Sequence, residues 1–344
     1  MENNTTYHII GAGIAGLFAA KLIKEKHPLA TVLIYEAADK IGGRCGSFFD
    51  KEHNCSYDNA THVLLNCNKQ AKKLLGADIF KHSVSFWDYK SGRFISKLSC
   101  WREIILAVFN TSAPNFLSFF YVLRQLLRPR LLRAYFSAGD LCNTLCEPLL
   151  VYANDIKYNH IWQGVEADNH HISKLIFNKQ TVTLGTHDKI ISAIDSYNYH
   201  KIMGGYDFEY NAITNIFYRT SMALTFPKNK KMLGIKNALC QWIFSTPNYT
   251  SVTISQATAK IDPRAVWQEI CHIRNYNSAF EPYTRLRCFP QATLKQDKHN
   301  NRKRPTTAKT DYDNLLICGD WTMKNRPCCI ETALCSALRL LKYL

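Results

Sequence analysis

The sequence predicts an α/β protein: a Rossmann-type dinucleotide-binding domain with an α+β unit inserted into it. Three observations carry this. Residues 6–36 read as strand, glycine-rich turn, helix, strand and acid. Residues 314–341 read as a closing strand, turn and helix. Between them lie stretches that alternate apolar and polar residues, the period of half-buried strands.

Thr6-Tyr7-His8-Ile9-Ile10 is a short buried strand, followed at once by Gly11-Ala12-Gly13-Ile14-Ala15-Gly16. Leu17 to His27 has helical spacing, Thr31–Tyr35 is a second strand rich in β-branched residues, and Glu36 stands at its end. This is the dinucleotide fingerprint in its full βαβ setting. Gly11 permits the tight turn, Gly13 leaves room for a pyrophosphate, and Gly16 lets helix and strand pack closely. Free N–H groups at the helix start would hold the phosphates. Glu36 would accept from the hydroxyls of an adenosine ribose, and its charge disfavours a 2′-phosphate. Gly11, Ala12, Gly13, Ile14, Ala15, Gly16, Glu36 and Ala37 are therefore candidate cofactor contacts.

Ile41-Gly42-Gly43-Arg44 follows closely. Gly42 and Gly43 let the chain approach a cofactor, and Arg44 would neutralise a diphosphate. Near the other end, Asn314–Cys318 is a strand, followed by Gly319-Asp320-Trp321-Thr322, Pro327 and a helix over Ile330 to Leu341. Ile330, Ala333, Leu334, Ala337, Leu338 and Leu341 make one apolar stripe on that helix. Its N-terminus would present a positive dipole to a neighbouring group. A flavin, which becomes negative at its N1/O2 edge on reduction, is a chemically sensible neighbour, so Gly319, Asp320 and Ile330 join the candidates.

These segments resemble the FAD-binding amine oxidase and carotenoid desaturase superfamily. Within it, Tyr57-Asp58-Asn59-Ala60-Thr61-His62-Val63-Leu64-Leu65, Glu147-Pro148-Leu149-Leu150 and Gly319-Asp320-Trp321-Thr322…Pro327…Ile330-Glu331 resemble the hydroxysqualene dehydroxylase family. The resemblance implies an amine oxidase-like, two-domain flavoprotein with FAD as cofactor. It also implies a lipophilic isoprenoid substrate, an electron donor still to be identified, and reductive dehydroxylation by hydride transfer. Asp58 and His62 are the candidate catalytic acids. The alternatives are a turn cap for Asp58 and a satisfied core histidine for His62. Glu147 reads as a structural partner for backbone N–H groups. Family members are usually longer, and the shortening falls after Leu150. Ala60, Thr332 and Ala337 stand where glycines are expected, and Met323-Lys324-Asn325-Arg326 lacks the expected acid and glycine. Each added side chain is expected to crowd the flavin ring.

The family picture gives a discontinuous FAD-binding domain over 1–80, 151–204 and 306–344, with Asp188–Asp195 as a buried strand. The substrate domain takes 81–150 and 205–305. Ala212 to Phe226 and Gln241 to Gln256 read as strands, and Gln296 to Lys309 as a polar loop.

Two apolar runs, Ile104–Phe109 and Phe116–Leu123, are split by a polar break at 110–115 and followed by Arg124, Arg128, Arg130 and Arg133. The break argues against a membrane-spanning helix. Two readings stay open: a helical hairpin resting on an anionic membrane surface, and two core helices with a solvated arginine edge. The net charge of +16 and a bilayer-resident substrate tilt toward the membrane. No zinc finger, RNP-type word or helix-turn-helix pattern points to nucleic acid, and Lys228–Lys231 and Arg302–Arg304 read as solvated loops. The 13 cysteines have no metal-ligand spacing. With no apolar leader at the N-terminus, they suit free thiols in a reducing cytoplasm, with the chain peripheral on the inner face of the plasma membrane.

Overall fold

Strands from both ends of the chain and from its middle meet in one parallel sheet. They are β1 (Thr6–Ile10), β2 (Thr31–Tyr35), β3 (Asp155–Lys157), β4 (Lys189–Ser192) and β5 (Leu315–Ile317), in the order β3-β2-β1-β4-β5. The computed structural model describes residues 5–344 apart from 53, 60–62, 76–78, 127–132, 138–140, 221–223, 247–248, 258–259 and 277–281.

Successive side chains of a strand face opposite ways, and this divides the core in two. Ile9, Val32, Ile34, Ile191 and Leu316 face helices α1 (Ile14–Lys26) and α2 (Ile330–Leu340), meeting Leu17, Ile23, Leu334 and Ala337. Their neighbours Ile10, Ile190, Leu315 and Ile317 face a three-stranded antiparallel sheet (162–168, 171–177, 181–183), meeting Trp162, Ile172, Leu175 and Phe177. The layers are helix, parallel sheet and antiparallel sheet. Near-continuous apolar strands follow from burial on both faces.

A second sheet has seven strands, in the order 284–294, 210–219, 249–255, 242–245, 232–236, 85–88 and 93–95. Helix Pro263–Ile273 covers it through Val266, Trp267 and Ile270, and Asp262 caps that helix by accepting from the Arg264 N–H.

Several expectations need correction. The first helix starts at Ile14 rather than Leu17, because the Gly13 carbonyl already accepts the Leu17 N–H. The strand expected over 188–195 pairs only over Lys189–Ser192, and the strand expected to run to Phe226 ends at Arg219. Gln241–Gln256 is a hairpin, Trp242–Ser245 against Tyr249–Ser255. The loop expected over 296–309 contains helix Lys298–Lys303, started by Asp297 accepting from the Asn300 N–H.

The two apolar runs form helices Trp101–Phe109 and Phe116–Leu126; the polar break between them opens with buried Asn110 and Thr111 and continues through exposed Ser112 and Ala113. Asn110, in the left-handed conformation, donates from Nδ2 to the Asn211 and Ala212 carbonyls and to Thr293 Oγ1, and accepts from the Gln256 N–H. Thr111 Oγ1 accepts from Asn211 Nδ2 and the Gln296 N–H. The break thus ties the hairpin to the seven-stranded sheet. Arg133 starts a strand, Arg133–Ser137, which the sequence reading did not expect; Arg128 and Arg130 lie outside the described residues. Among the described residues no helix is long and apolar enough to cross a membrane.

Candidate functional site: a glycine-lined groove between the two ends of the chain

The first turn has the geometry a dinucleotide needs. Gly11 has φ of 104° and donates to the Tyr35 carbonyl at 2.8 Å, so the chain turns sharply off β1. A Cβ on Gly16 would overlap the Gly11 carbonyl oxygen, so only glycine lets α1 sit this close. A Cβ on Gly13 would meet nothing within 4 Å. Gly13 therefore keeps space open rather than relieving a clash within the protein. It is the N-cap of α1, whose first turn has no side-chain cap and no acid. The leading N–H groups of a helix lack intrahelical partners and carry its positive dipole end. The site fits an anionic diphosphate.

Glu36 follows β2 and lies over this turn. Its Oε2 accepts from the Ala12 N–H at 2.7 Å and its Oε1 from the Ala38 N–H at 2.8 Å. Each oxygen keeps a further lone pair for a hydroxyl donor. Ala37 is exposed beside it.

The second glycine segment is laid against the first. Gly13 and Gly42 form a parallel bridge, and the Gly42 N–H donates to the Ala12 carbonyl at 2.9 Å. Asn59, from the segment carrying the candidate acids, donates from Nδ2 to the Gly43 carbonyl at 2.9 Å. Arg44 reaches the other end of the chain, with Nη2 at 2.6 Å from Asp320 Oδ1 and Nη1 donating to the Ala292 carbonyl at 3.0 Å. Asp320 is buried, while about half of the Arg44 side chain stays exposed. The Asp320 carboxylate holds the guanidinium charge of Arg44 still more firmly than usual.

Asp320 is positioned from behind. Gly319, at φ of 134°, donates its N–H to Ser336 Oγ on α2 at 2.7 Å. Trp321 is buried, and its Nε1 donates to the Ile194 carbonyl. Arg304 corrects the solvated-loop expectation: only 2% of it is exposed. Its Nη2 donates to the Asp320 carbonyl at 2.7 Å, its Nε to that of Trp321 at 2.9 Å, and its Nη1 to that of Arg326 at 2.7 Å. A planar fork of donors suits this task better than an ammonium. Nothing in a run of three basic residues separates the buried arginine from its solvated neighbours.

The remaining expected residues divide. Asp58 Oδ1 accepts from Ser47 Oγ and from the Leu141 N–H, both at 2.8 Å, which matches the cap reading. His62 and Ala60 lie outside the described residues. Glu147 is exposed at the start of the 3₁₀ turn Glu147–Tyr152, and among the described residues it holds no backbone N–H group. Ala337 is fully buried in the α1–α2 core. Thr332, 2% exposed, packs its Oγ1 3.4 Å from Cys329 Sγ. Glu331 is the second acid of the closing motif. It is buried and accepts from the Gln70 and Ala71 N–H groups, closing the start of helix Lys69–Leu74.

Comparison with known proteins agrees with this geometry. Residues 9–77 match the NAD(P)-binding Rossmann-like domain family. Three curated relatives are named hydroxysqualene dehydroxylase. That of Sinorhizobium fredii is 24% identical, covering 96% of this chain and 96% of the relative. That of Zymomonas mobilis is 28% identical over 95% and 96%. That of Rhodopseudomonas palustris is 26% identical over 97% and 97%. The first alignment runs over 412 positions against a chain of 344 residues, so the relative carries inserted segments. Among solved structures, a putative protoporphyrinogen oxidase from Exiguobacterium superposes with a TM-score of 0.71 at 10% identity, covering 99% of this chain and 98% of that one. An oxidoreductase from Methanosarcina mazei does so with 0.73 at 12%, covering 98% and 100%. The chain is thus similar to the three hydroxysqualene dehydroxylases along nearly its whole length, carries an NAD(P)-binding Rossmann-like segment, and shares its fold with the two oxidoreductase structures.

Proposed function

We propose that the protein is an FAD-dependent oxidoreductase acting on a lipophilic isoprenoid, and that its reaction is the reductive dehydroxylation of hydroxysqualene to squalene. The observation that carries this reading is similarity to three hydroxysqualene dehydroxylases across 95–97% of the chain. The groove geometry supports the cofactor. The start of α1 beside Gly13 would take the pyrophosphate, Glu36 the adenosine ribose, and the exposed half of Arg44 would add positive charge. Gly319 and Asp320, in the turn after β5, and Ile330, at the start of α2, would border the flavin.

Reduced FAD, when bound, supplies a hydride to the allylic carbon as the C–O bond breaks. The chain's own residues must bind and orient the substrate, exclude water and deliver a proton to the departing hydroxyl, which leaves as water. Asp58 already has two donors on Oδ1, so we assign the proton to His62. A bilayer-resident substrate would bring the reaction to a membrane surface, which we read as the cytoplasmic face of the plasma membrane.

A second reading, a shortened flavoprotein without turnover, is favoured by the inserted segments that the relatives carry and this chain lacks. The visible spectrum comes first: a folded, colourless protein sinks both readings. Under anaerobic conditions, reduced protein with hydroxysqualene should yield squalene. Yellow protein that yields none is the shortened flavoprotein. Substrate-driven bleaching of the oxidised flavin marks an oxidase or desaturase instead.

A further inference from the structure

The edge of the seven-stranded sheet away from the cofactor groove carries a second concave site. It is a groove of about 430 Å³ whose floor is apolar, made by Val84, Phe86, Phe94 and Ile95. Its polar lining includes Lys97, Lys228 and Lys230 and no carboxylate. Among the described residues, none of the three ammonium groups has a carboxylate within 4.0 Å. The Lys228 ammonium instead stands 4.9 Å from the centre of the Phe94 ring. Three lysines over an apolar floor are complementary to an amphiphile with an anionic head.

The chain leaving this groove identifies the setting of that amphiphile. Lys97 opens a 3₁₀ turn, Lys97–Cys100, which leads directly into helix Trp101–Phe109. On this turn Leu98 is 76% exposed, and Trp101 just after it is 52% exposed. Arg102, also exposed, lies 5.4 Å from the Trp101 ring. A leucine, a tryptophan and cations on one short turn match the requirements of the bilayer boundary: an apolar side chain to bury, an amphipathic ring for the headgroup level, and positive charge for acidic lipid.

We propose that this groove takes the phosphate headgroup of an anionic phospholipid, with the Leu98–Trp101 turn entering the bilayer beside it. The protein then docks on an acidic membrane by the outer edge of the seven-stranded sheet, where cations and apolar side chains stand together, rather than by the exposed Phe116, Leu117 and Phe120 of the second hairpin helix. The inference is independent of the reaction proposed above, and its test does not read activity.

The full-length protein is mixed with phosphatidylcholine vesicles with and without phosphatidylglycerol, and binding is followed by sedimentation. Binding should require phosphatidylglycerol. It should weaken by about a hundredfold or more in the triple variant Lys97→Glu, Lys228→Glu, Lys230→Glu, since each lysine near an acidic surface adds roughly fivefold and three increments compound. Brominated acyl chains should quench tryptophan fluorescence in the wild type and quench Trp101→Phe less. Unchanged thermal midpoints establish that these surface variants fold. Binding to phosphatidylcholine alone or full binding by the triple variant would overturn the proposal. So would loss of binding in Phe116→Ser with Phe120→Ser while the triple variant still binds, because that would place the docking face on the hairpin.

Discussion

Arg44 Nη2 and Asp320 Oδ1 are 2.6 Å apart, although 276 residues separate them in the chain. Arg44 belongs to the glycine segment after β2, and Asp320 to the turn after β5. The ion pair joins the two motifs, and the Gly13↔Gly42 bridge joins the two glycine segments.

Removing Arg44 leaves a buried carboxylate without its cation. Arg44→Met should cost about 1–3 kcal/mol in denaturant unfolding, the range for a stranded buried polar group. Arg44→Met combined with Asp320→Leu should recover part of that loss, as coupled neighbours do. Additive losses in the two single variants would show that the pair contributes nothing to stability. FAD retention through gel filtration should fall in both Arg44→Met and the double variant, which separates the cofactor role from the stability role.

Two glycines three residues apart should respond in opposite ways to the same methyl group. Gly16→Ala places a Cβ on the Gly11 carbonyl oxygen, and overpacking of this kind costs about 1–3 kcal/mol or more. Gly13→Ala meets only open space, so its thermal midpoint should stay near the wild-type value while FAD retention is lost. A Gly13→Ala protein that remains yellow would argue against the diphosphate lying over that turn.

Arg304 is expected to govern the position of Asp320. Arg304→Met strands the carbonyls of Asp320, Trp321 and Arg326, at about 1–3 kcal/mol for each left without a donor. Arg304→Lys keeps the charge but loses the fork, and should fall between wild type and Arg304→Met in both stability and FAD retention. Equal losses in the two variants would show that the charge alone contributes nothing.

His8 gives the fold a pH dependence. It is 4% exposed, with Nδ1 3.2 Å from Tyr35 Oη and Nε2 3.3 Å from Asp188 Oδ2. Burial lowers its pKa; Asp188 opposes the shift and Lys157 adds to it. The unfolded chain therefore takes up the proton more readily than the folded one. The contribution of His8 to stability is complete above the unfolded value of about 6.5 and is lost as pH falls from there toward the lowered folded value. The thermal midpoint should drop between about pH 7.5 and about pH 5.5, and more steeply in the wild type than in His8→Gln. Parallel slopes would remove His8 from the account.

The legibility of the sequence varied along the chain for physical reasons. The βαβ turn could be read because each glycine answers a local need: backbone φ at Gly11, helix contact at Gly16 and open space at Gly13. The stripe on α2 could be read because its partner surface is a sheet, whatever the details of that sheet. Asn110 is different. In sequence it is a polar interruption between apolar helices, and only the neighbouring strand 210–219 turns it into a buried tether. Glu331 likewise reads as a helix-surface acid until Gln70 and Ala71 bring their N–H groups to it.

By itself, the sequence determined the dinucleotide-binding fold, the first and last strands of its sheet and the residues that line the turn at Gly13, because those features rest on contacts between near neighbours. Tertiary structure alone decided that Arg44 meets Asp320, that Arg304 is buried while Arg302 and Lys303 remain exposed, and that Asp58 serves the chain near Leu141. In each case the partner lies far along the chain. The identity of a charged residue says nothing about which distant carbonyl or carboxylate will be folded against it.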